Sequence, residues 1–470
     1  DPHPQVRLEA VLSCGQTPSP GAIKVAALAV MKHPRDKWID YAFTQTVRHQ
    51  EPVWMAALTA GDLDFKANIG ALSALLEKGG SKTMLSKLMD LANSDEIGLE
   101  GRRGVLTGIA GIGGEAELRA IFEPGFHRSA ENHALALAAL NAASASRTVK
   151  PGGDLAVVLR SALRSDQADL SEQALGLIGR WRVSGLHGDV VALVDNTRAA
   201  MPTRLAAVRA LGVLGGDDAQ RLAKLIDSGD ATEELKLAAL DSLSRVDMSA
   251  AASRGAALLA LGQATTGVLS PFLNREGGGT ALTAALAKRK PGAAPAAVAL
   301  AKLQSLGSNE TGLMNLLSQV AGIENTVPAY SAEFVAALAK EAAKGNTVNG
   351  RQTFQAAGCA VCHKISPATN NGIPFIGPEL DTIGNTLSPE RIIEEVLWPG
   401  RHVKEGFSLM QVTTRSGTIH QGYEQRSRSK DIFLRPLSQP GTIQIPHDQI
   451  RSQAQIGSAM AAGLTAGLKR

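Results

Sequence analysis

Two cysteines and a histidine stand close together near the carboxyl end of the chain, in the stretch GCAVCHK. Cys359 and Cys362 are separated by two residues, and His363 follows immediately. The spacing C-x-x-C-H is typical of c-type haem attachment, in which each thiolate adds to a vinyl group of the porphyrin and the adjacent imidazole binds the iron. The motif therefore predicts one covalently attached haem c, with His363 as a metal ligand.

Two other kinds of site also use paired cysteines. A structural zinc site needs four protein ligands. The chain has one other cysteine, Cys14, which is remote in the sequence and forms no second pair. A redox dithiol of the thioredoxin type opens a helix within a β-α-β unit, and no strand pattern precedes Cys359. Both alternatives fit the sequence less well than haem.

Residues on both sides of the motif are predicted to surround the haem. Phe354 lies on the inward face of a short predicted helix that leads into the attachment loop. Downstream, the stretch GIPFIGPELDTIG supplies Pro378 and Leu380. We expect a carbonyl near Pro378 to accept a hydrogen bond from the free N–H of the His363 imidazole, which would fix its tautomer and make it a more basic ligand.

The sixth ligand of the iron decides what a c-type haem does. A thioether closes the site and raises the potential, which suits an electron carrier, whereas an open or exchangeable site allows peroxide or O₂ chemistry. Met460 is the favoured candidate, since small residues flank it on a loop after the predicted sheet. The sequence leaves open Met410, His402, His420 or His447 as the ligand, or no ligand from the protein.

A helix and a small sheet are predicted to position these residues. Ser388 as N-cap and Pro389 at the first helical position predict where the helix begins. Its buried stripe is predicted to comprise Ile392, Ile393, Val396 and Leu397. Residues 406–446 then alternate with period two between turn signals, which predicts a small antiparallel β insertion.

The remainder of the chain contains a repeat. Matching apolar positions recur at intervals of 34, 35, 33 and 32 residues, at Leu106, Leu140, Leu175, Val208 and Leu240. Periods in this range are typical of stacked helix pairs of the HEAT or armadillo kind. The composition agrees, because 44% of residues are hydrophobic and only 4% aromatic, which favours helices rich in Ala and Leu.

These patterns together predict a mainly α protein with two domains. Residues 1–344 are expected to form a HEAT/armadillo-like α-solenoid, and residues 345–470 a cytochrome c-like helical domain with the β insertion at about 406–446. No run of about 18 apolar residues occurs, so we expect no transmembrane segment.

The positive charge lies at the haem end. Residues 345–470 contain 13 Lys and Arg against 9 Asp and Glu, which is the whole net charge of +4, while the rest of the chain is balanced at 35 of each sign. A basic stretch, formed by Arg426, Arg428, Lys430 and Arg435, could steer an acidic redox partner. A solvated hairpin surface is the simpler interpretation. We expect no nucleic-acid partner.

The haem end resembles a known family. The segments GRQTFQAAGCAVCHKI, GPELDTIG, IIEEVLWPGRHVKEGF, IPHDQI and GSAMAAGLT, combined with HEAT-like repeats, are similar to the haem-binding domain of the large multidomain c-type cytochromes of planctomycetes and verrucomicrobia. The family's distal methionine sits in a Ser-Leu-Met-Pro-x-Gly-Leu stretch, which matches Ser458, Met460, Gly463 and Leu464. Ala459 and Ala461 replace its Leu and Pro.

The resemblance implies a function and a location. In that family the haem domain often follows a β-propeller resembling sugar dehydrogenases, so the chain is expected to pass electrons from a linked or partner dehydrogenase to a redox partner protein. Covalent haem attachment takes place outside the cytoplasm, which predicts an upstream export signal and a periplasmic or otherwise extracytoplasmic location. The alternatives are a haem enzyme with an exchangeable sixth site, such as a peroxidase or reductase, and a repeat scaffold that binds a protein partner.

Overall fold

A computed structural model shows a mainly helical chain with a five-stranded antiparallel sheet near its carboxyl end. The structure describes residues 3–30, 37–60, 62–63, 69–79, 85–94, 99–144, 149–308, 310–323, 329–342, 344–365, 376–427, 431–437 and 441–465. The chain divides into two compact units, Asp1–Leu214 and Gly215–Arg470. The boundary predicted at residues 344 and 345 therefore falls inside the second unit.

Thirteen helices are described in the first unit. They are α1 (Pro4–Gly15), α2 (Pro20–Ala29), α3 (Lys37–His49), α4 (Glu51–Ala60), α5 (Ile69–Gly79), α6 (Leu85–Ala92), α7 (Leu99–Ile112), α8 (Glu115–Phe122), α9 (Ala130–Ala143), α10 (Leu155–Leu163), α11 (Ala168–Trp181), α12 (His187–Asp195) and α13 (Met201–Leu214). Among the described residues no helix of either unit is long and apolar enough to cross a membrane.

The second unit continues with helices and ends in the sheet. Its described helices are α14 (Ala219–Asp227), α15 (Glu233–Val246), α16 (Met248–Ala260), α17 (Ser270–Leu273), α18 (Gly278–Lys288), α19 (Ala293–Ser305), α20 (Thr311–Ala321), α21 (Ala332–Ala342), α22 (Thr347–Ala356), α23 (Cys359–Cys362), α24 (Ile383–Thr386) and α25 (Pro389–Leu397). Its described strands are β1 (Ser408–Thr414), β2 (Ile419–Ser427), β3 (Asp431–Pro436), β4 (Ile443–Pro446) and β5 (Ile450–Ser458).

The repeated positions occupy equivalent places in alternate helices. In the first unit they lie in α7, α9, α11 and α13, each of which packs against the next in that series. In the second unit Leu240 lies in α15. All five side chains are at most 2% exposed. A buried apolar residue every 32 to 35 positions is therefore a repeated packing feature of the helices, as the sequence indicates.

Polar side chains fix where several helices begin. The hydroxyl oxygens of Ser129, Thr232 and Ser388 accept hydrogen bonds from backbone N–H groups in the first turns of α9, α15 and α25. Such caps satisfy donors that have no partner within the helix. The predicted start of α25, with Ser388 as N-cap and Pro389 at the first helical position, is confirmed.

The sheet has the strand order β4-β3-β2-β1-β5, and all of its pairs are antiparallel. Its own hydrophobic core consists of Met410, Val412, Ile432, Leu434 and Ile445. The sheet also extends past the predicted end at residue 446, because β5 pairs with β1. Most side chains of β5 are exposed. A strand without a buried face needs no alternation of apolar and polar residues, so the sequence pattern did not predict it.

Backbone hydrogen bonds attach the sheet to the helices of the second unit. Ile419 N–H donates to the carbonyl of Asn274 at 2.8 Å, and Glu276 N–H donates to the carbonyl of Gly417 at 3.1 Å. Arg451 of β5 also pairs with the Glu276 carboxylate at 2.5 Å. The turn between β1 and β2 thus lies against the segment that joins α17 to α18.

Candidate functional site

The two cysteines of the motif lie on a single helical turn. α22 ends at Ala356, and Gly358 then adopts φ +77° before α23 spans Cys359–Cys362. Glycine takes this left-handed conformation without steric cost, so the chain can begin a new turn at once. Both thiols are free and half-buried.

Pro378 fixes the tautomer of His363. Nδ1 of His363 lies 2.9 Å from the carbonyl oxygen of Pro378. A carbonyl oxygen can only accept, so Nδ1 carries the proton and the lone pair is on Nε2. This is the hydrogen bond that the sequence led us to expect at Pro378, and it leaves the imidazole able to bind a metal through Nε2.

Two backbone hydrogen bonds hold the Pro378 segment against the motif. Gly377 N–H donates to the Cys362 carbonyl at 2.8 Å, and Leu380 N–H donates to the Lys364 carbonyl at 2.9 Å. The two bonds bracket His363, which lies between Cys362 and Lys364. The motif and the segment that orients its imidazole therefore form one local unit.

Gly377 lies directly against the His363 ring. A Cβ atom on residue 377 would come within 2.5 Å of Cε1 and 2.7 Å of Nδ1 of the imidazole. No side chain fits there, so the glycine allows the backbone to approach the ring closely enough for the Pro378 contact. The sequence analysis did not select this glycine, although it immediately precedes Pro378.

The thiols of the motif resist ionisation. Burial raises the pKa of the Cys359 thiol, and burial together with the neighbouring Cys359 raises the pKa of the Cys362 thiol. Reactive redox dithiols usually contain a cysteine whose pKa is lowered by a helix N-terminus or a cation. The environment of these thiols is therefore unlike that of a thioredoxin-type dithiol.

The helices around the motif bury no side chain of their own. Among the described residues from 346 to 398, none is buried, and Phe354 is only half-buried. The stripe predicted to be buried on α25 is half-buried or exposed, with Val396 at 36%. This corrects the prediction, and the physical reason is that no described element covers the stripe completely. Half-buried apolar side chains of this kind can pack against a flat, apolar group.

The candidates for the sixth ligand lie in different surroundings. Met460 is half-buried in the segment after β5, and its N–H donates to Ser458 Oγ at 3.1 Å. Met410 belongs to the sheet core. His402 and His447 are exposed, while His420 of β2 is half-buried and burial lowers its pKa. No described contact joins Met460 to His363.

Tyr423 of β2 is a residue that the sequence analysis did not select. It is 3% exposed, and burial raises the pKa of its hydroxyl to about 12. The positive charge of Arg435 lowers this pKa, whereas Cys362 raises it. Its ring packs against Phe407 at 5.6 Å between centroids.

The predicted basic stretch is only partly visible. Arg428 and Lys430 lie outside the described residues. The Arg435 guanidinium lies 5.0 Å from the centre of the Tyr423 ring, so this cation packs against the sheet. Its role in steering a partner stays a prediction.

Within the described part of the chain, no group of three or more His, Cys, Asp or Glu side chains is arranged to hold a metal ion. Comparison of the chain with models of known protein families and with curated protein sequences gives no match.

Proposed function

We propose that this protein transfers electrons through one covalently attached haem c, held by a cytochrome c-like domain beside a HEAT-like solenoid. Cys359 and Cys362 would tether the porphyrin, and Nε2 of His363 would bind the iron. When bound, the haem would supply a one-electron couple. The observation that carries the proposal is the His363–Pro378 hydrogen bond, since it leaves the ligating nitrogen of a C-x-x-C-H histidine free.

The packing of the helices around the motif also supports the proposal. Between residues 346 and 398 the described side chains form no buried core of their own. A porphyrin would cover Phe354, Leu380 and the apolar stripe of α25, and so supply the burial that a small helical domain needs. The sheet, by contrast, has its own core and does not need a haem to form one.

Met460 is our choice for the sixth ligand. It lies outside the sheet core, whereas Met410 is packed among Val412, Ile432 and Leu434. A thioether ligand suits an electron carrier because it raises the potential and closes the iron to small molecules. We further propose an extracytoplasmic location, and a dehydrogenase as electron donor, on the strength of the motif and of the family resemblance alone.

The test compares two methionine variants of the haem-loaded protein, produced with a cytochrome c maturation system. Mass spectrometry should show one haem per chain, and the oxidised protein should show the weak long-wavelength band of a thioether–iron(III) bond. We expect Met460→Leu to lose this band and to lower the midpoint potential. The matched control Met410→Leu, a volume-conserving change in the sheet core, should retain both.

Other outcomes would redirect or overturn the proposal. Loss of the band in Met410→Leu alone would assign the ligand to Met410. A low-spin iron without the band would indicate a histidine, at position 402, 420 or 447. A high-spin wild-type iron that takes up small ligands would replace the carrier with a haem enzyme, and a protein that acquires no haem would contradict the proposal altogether.

A further inference from the structure

The turn that follows α19 lies directly against the segment that carries Met460. Gly307 in this turn has φ +61°, and a Cβ atom on it would come 2.5 Å from the carbonyl oxygen and 2.8 Å from the Cα of Ala459. Cβ atoms essentially never approach other heavy atoms this closely. The backbone of the turn after α19 therefore supports the residue next to the proposed sixth ligand.

Contacts within the strand end and the segment itself also hold Met460 in place. Gly457, the residue before the last of β5, has φ +92° and lies next to a register shift in the pairing of β5 with β1. Ser458 then accepts the Met460 N–H at 3.1 Å, and Ala461 is 8% exposed. The segment therefore leaves the sheet in a defined direction and returns at once to a buried position.

We propose that Gly307 positions Met460 for the iron, together with the Ser458 hydrogen bond. The inference rests on the function proposed above. Gly307 would contact neither the haem nor the methionine side chain, so it is a positioning residue that acts through the backbone of Ala459. A side chain at position 307 would push Ala459 away and move Met460 with it.

Gly322 provides a matched control. It ends α20 in the same left-handed conformation, with φ +67°. In both turns the glycine N–H bonds to the carbonyl three residues earlier, and the next N–H bonds to the carbonyl five residues earlier. A Cβ atom on Gly322 would meet nothing within 4 Å. Gly307→Ala and Gly322→Ala therefore carry the same backbone penalty, and only the first disturbs the Met460 segment.

The experiment measures the thioether–iron(III) band and imidazole binding in the oxidised, haem-loaded protein, at a temperature well below unfolding. We expect Gly307→Ala to lose most of the band and to bind imidazole with about tenfold or greater affinity than wild type. Gly322→Ala should keep the band and the wild-type imidazole affinity. A thermal unfolding midpoint lowered in both variants would report the shared backbone penalty.

A band and imidazole affinity in Gly307→Ala equal to those of Gly322→Ala would overturn the proposal. If Gly307→Ala does not fold, Ser458→Ala tests the same support, and an unchanged band in that variant would likewise contradict it. Met460→Leu separates the two proposals. Where that variant loses the band and Gly307→Ala does not, only the positioning role fails; where it keeps the band, the ligand assignment itself fails.

Discussion

Gly377 lies so close to the imidazole of His363 that even a methyl group at position 377 would overlap the ring, at 2.5 Å from Cε1. The same glycine donates its N–H to the carbonyl of Cys362. The orientation of the candidate iron ligand therefore depends on a residue that has no side chain.

The first prediction follows from this contact. Gly377→Ala should tilt the His363 ring or break its bond to the Pro378 carbonyl, and so weaken iron ligation. We expect the haem-loaded variant to contain high-spin iron and to have an altered midpoint potential, measured by optical spectroscopy and potentiometric titration. Gly384→Ala in α24, where a Cβ atom meets nothing within 4 Å, is the control. Wild-type spectra in both variants would argue against the role of Gly377.

The second prediction concerns the covalent tether. Cys359→Ser and Cys362→Ser should each retain haem through one thioether bond, whereas the double variant should release it on extraction with acidified organic solvent. Denaturing mass spectrometry provides the measurement. Cys14→Ser, which changes the cysteine of α1, should keep the full haem mass. Release of haem from the wild-type protein would contradict covalent attachment.

The third prediction compares a buried and an exposed arginine that contact or belong to the segment between α17 and α18. Arg275 is 8% exposed, donates to Ser244 Oγ at 2.8 Å and pairs with Asp241 at 3.5 Å, whereas the Arg451–Glu276 ion pair is exposed. Arg275→Ala should lower the free energy of unfolding by about 2 kcal/mol or more, since it removes a buried hydrogen bond to a charged group. Arg451→Ala should cost less than about 1 kcal/mol. Urea unfolding of the full chain measures both losses. Equal losses of unfolding free energy in Arg275→Ala and Arg451→Ala would be inconsistent with this interpretation.

The fourth prediction concerns a histidine pair of the first unit, in which His133 is buried and His127 is half-buried. His127 and His133 stack with ring centres 5.3 Å apart, and their Nε2 atoms bond to the carbonyls of Ile121 and Phe122. Burial lowers the pKa of His127 to about 4. The hydrogen bond to Ile121 works against this shift, and the charges of His133 and Arg102 add to it. Burial also lowers the pKa of His133, opposed by the Phe122 hydrogen bond and by Glu123.

These shifts fix the sign of a pH dependence. Between about pH 4 and pH 6.5 the unfolded chain binds more protons at His127 than the folded chain, so the free energy of unfolding falls as the pH falls through this window. The loss should be about 2 to 3 kcal/mol in total for His127. Urea unfolding at several pH values should show a shallower slope for His127→Gln than for wild type. The exposed His49 provides the control His49→Gln, and a slope unchanged in His127→Gln would refute the prediction.

Local patterns predicted the helical part of the fold well. The start of α25 follows from Ser388 and Pro389, and the repeat positions follow from apolar spacing, because both depend on residues close in sequence. β5 was missed because its strand forms by pairing with β1, about forty residues earlier, and not by burying an apolar face of its own.

One contact of the candidate site was also predictable. The C-x-x-C-H spacing indicated the candidate ligand and tether residues, and the Pro378 carbonyl followed from the need of a ligating histidine for a hydrogen-bond partner. Gly377, Tyr423 and Gly307 were not selected, since their importance depends on how closely another segment approaches in space. A glycine or a tyrosine in a sequence does not tell which other segment of the chain approaches it.

The backbone bonds between the sheet and the α17–α18 segment limit how such proteins can be recombined. Asn274 and Glu276 use main-chain groups to hold Gly417 and Ile419, so their pairing depends on the path of the chain and not on side-chain identity. Residues 345–470 would keep these bonds on another helical scaffold only where that scaffold offers the same backbone edge. A cut at position 345 would therefore separate the two halves of one hydrogen-bonded surface.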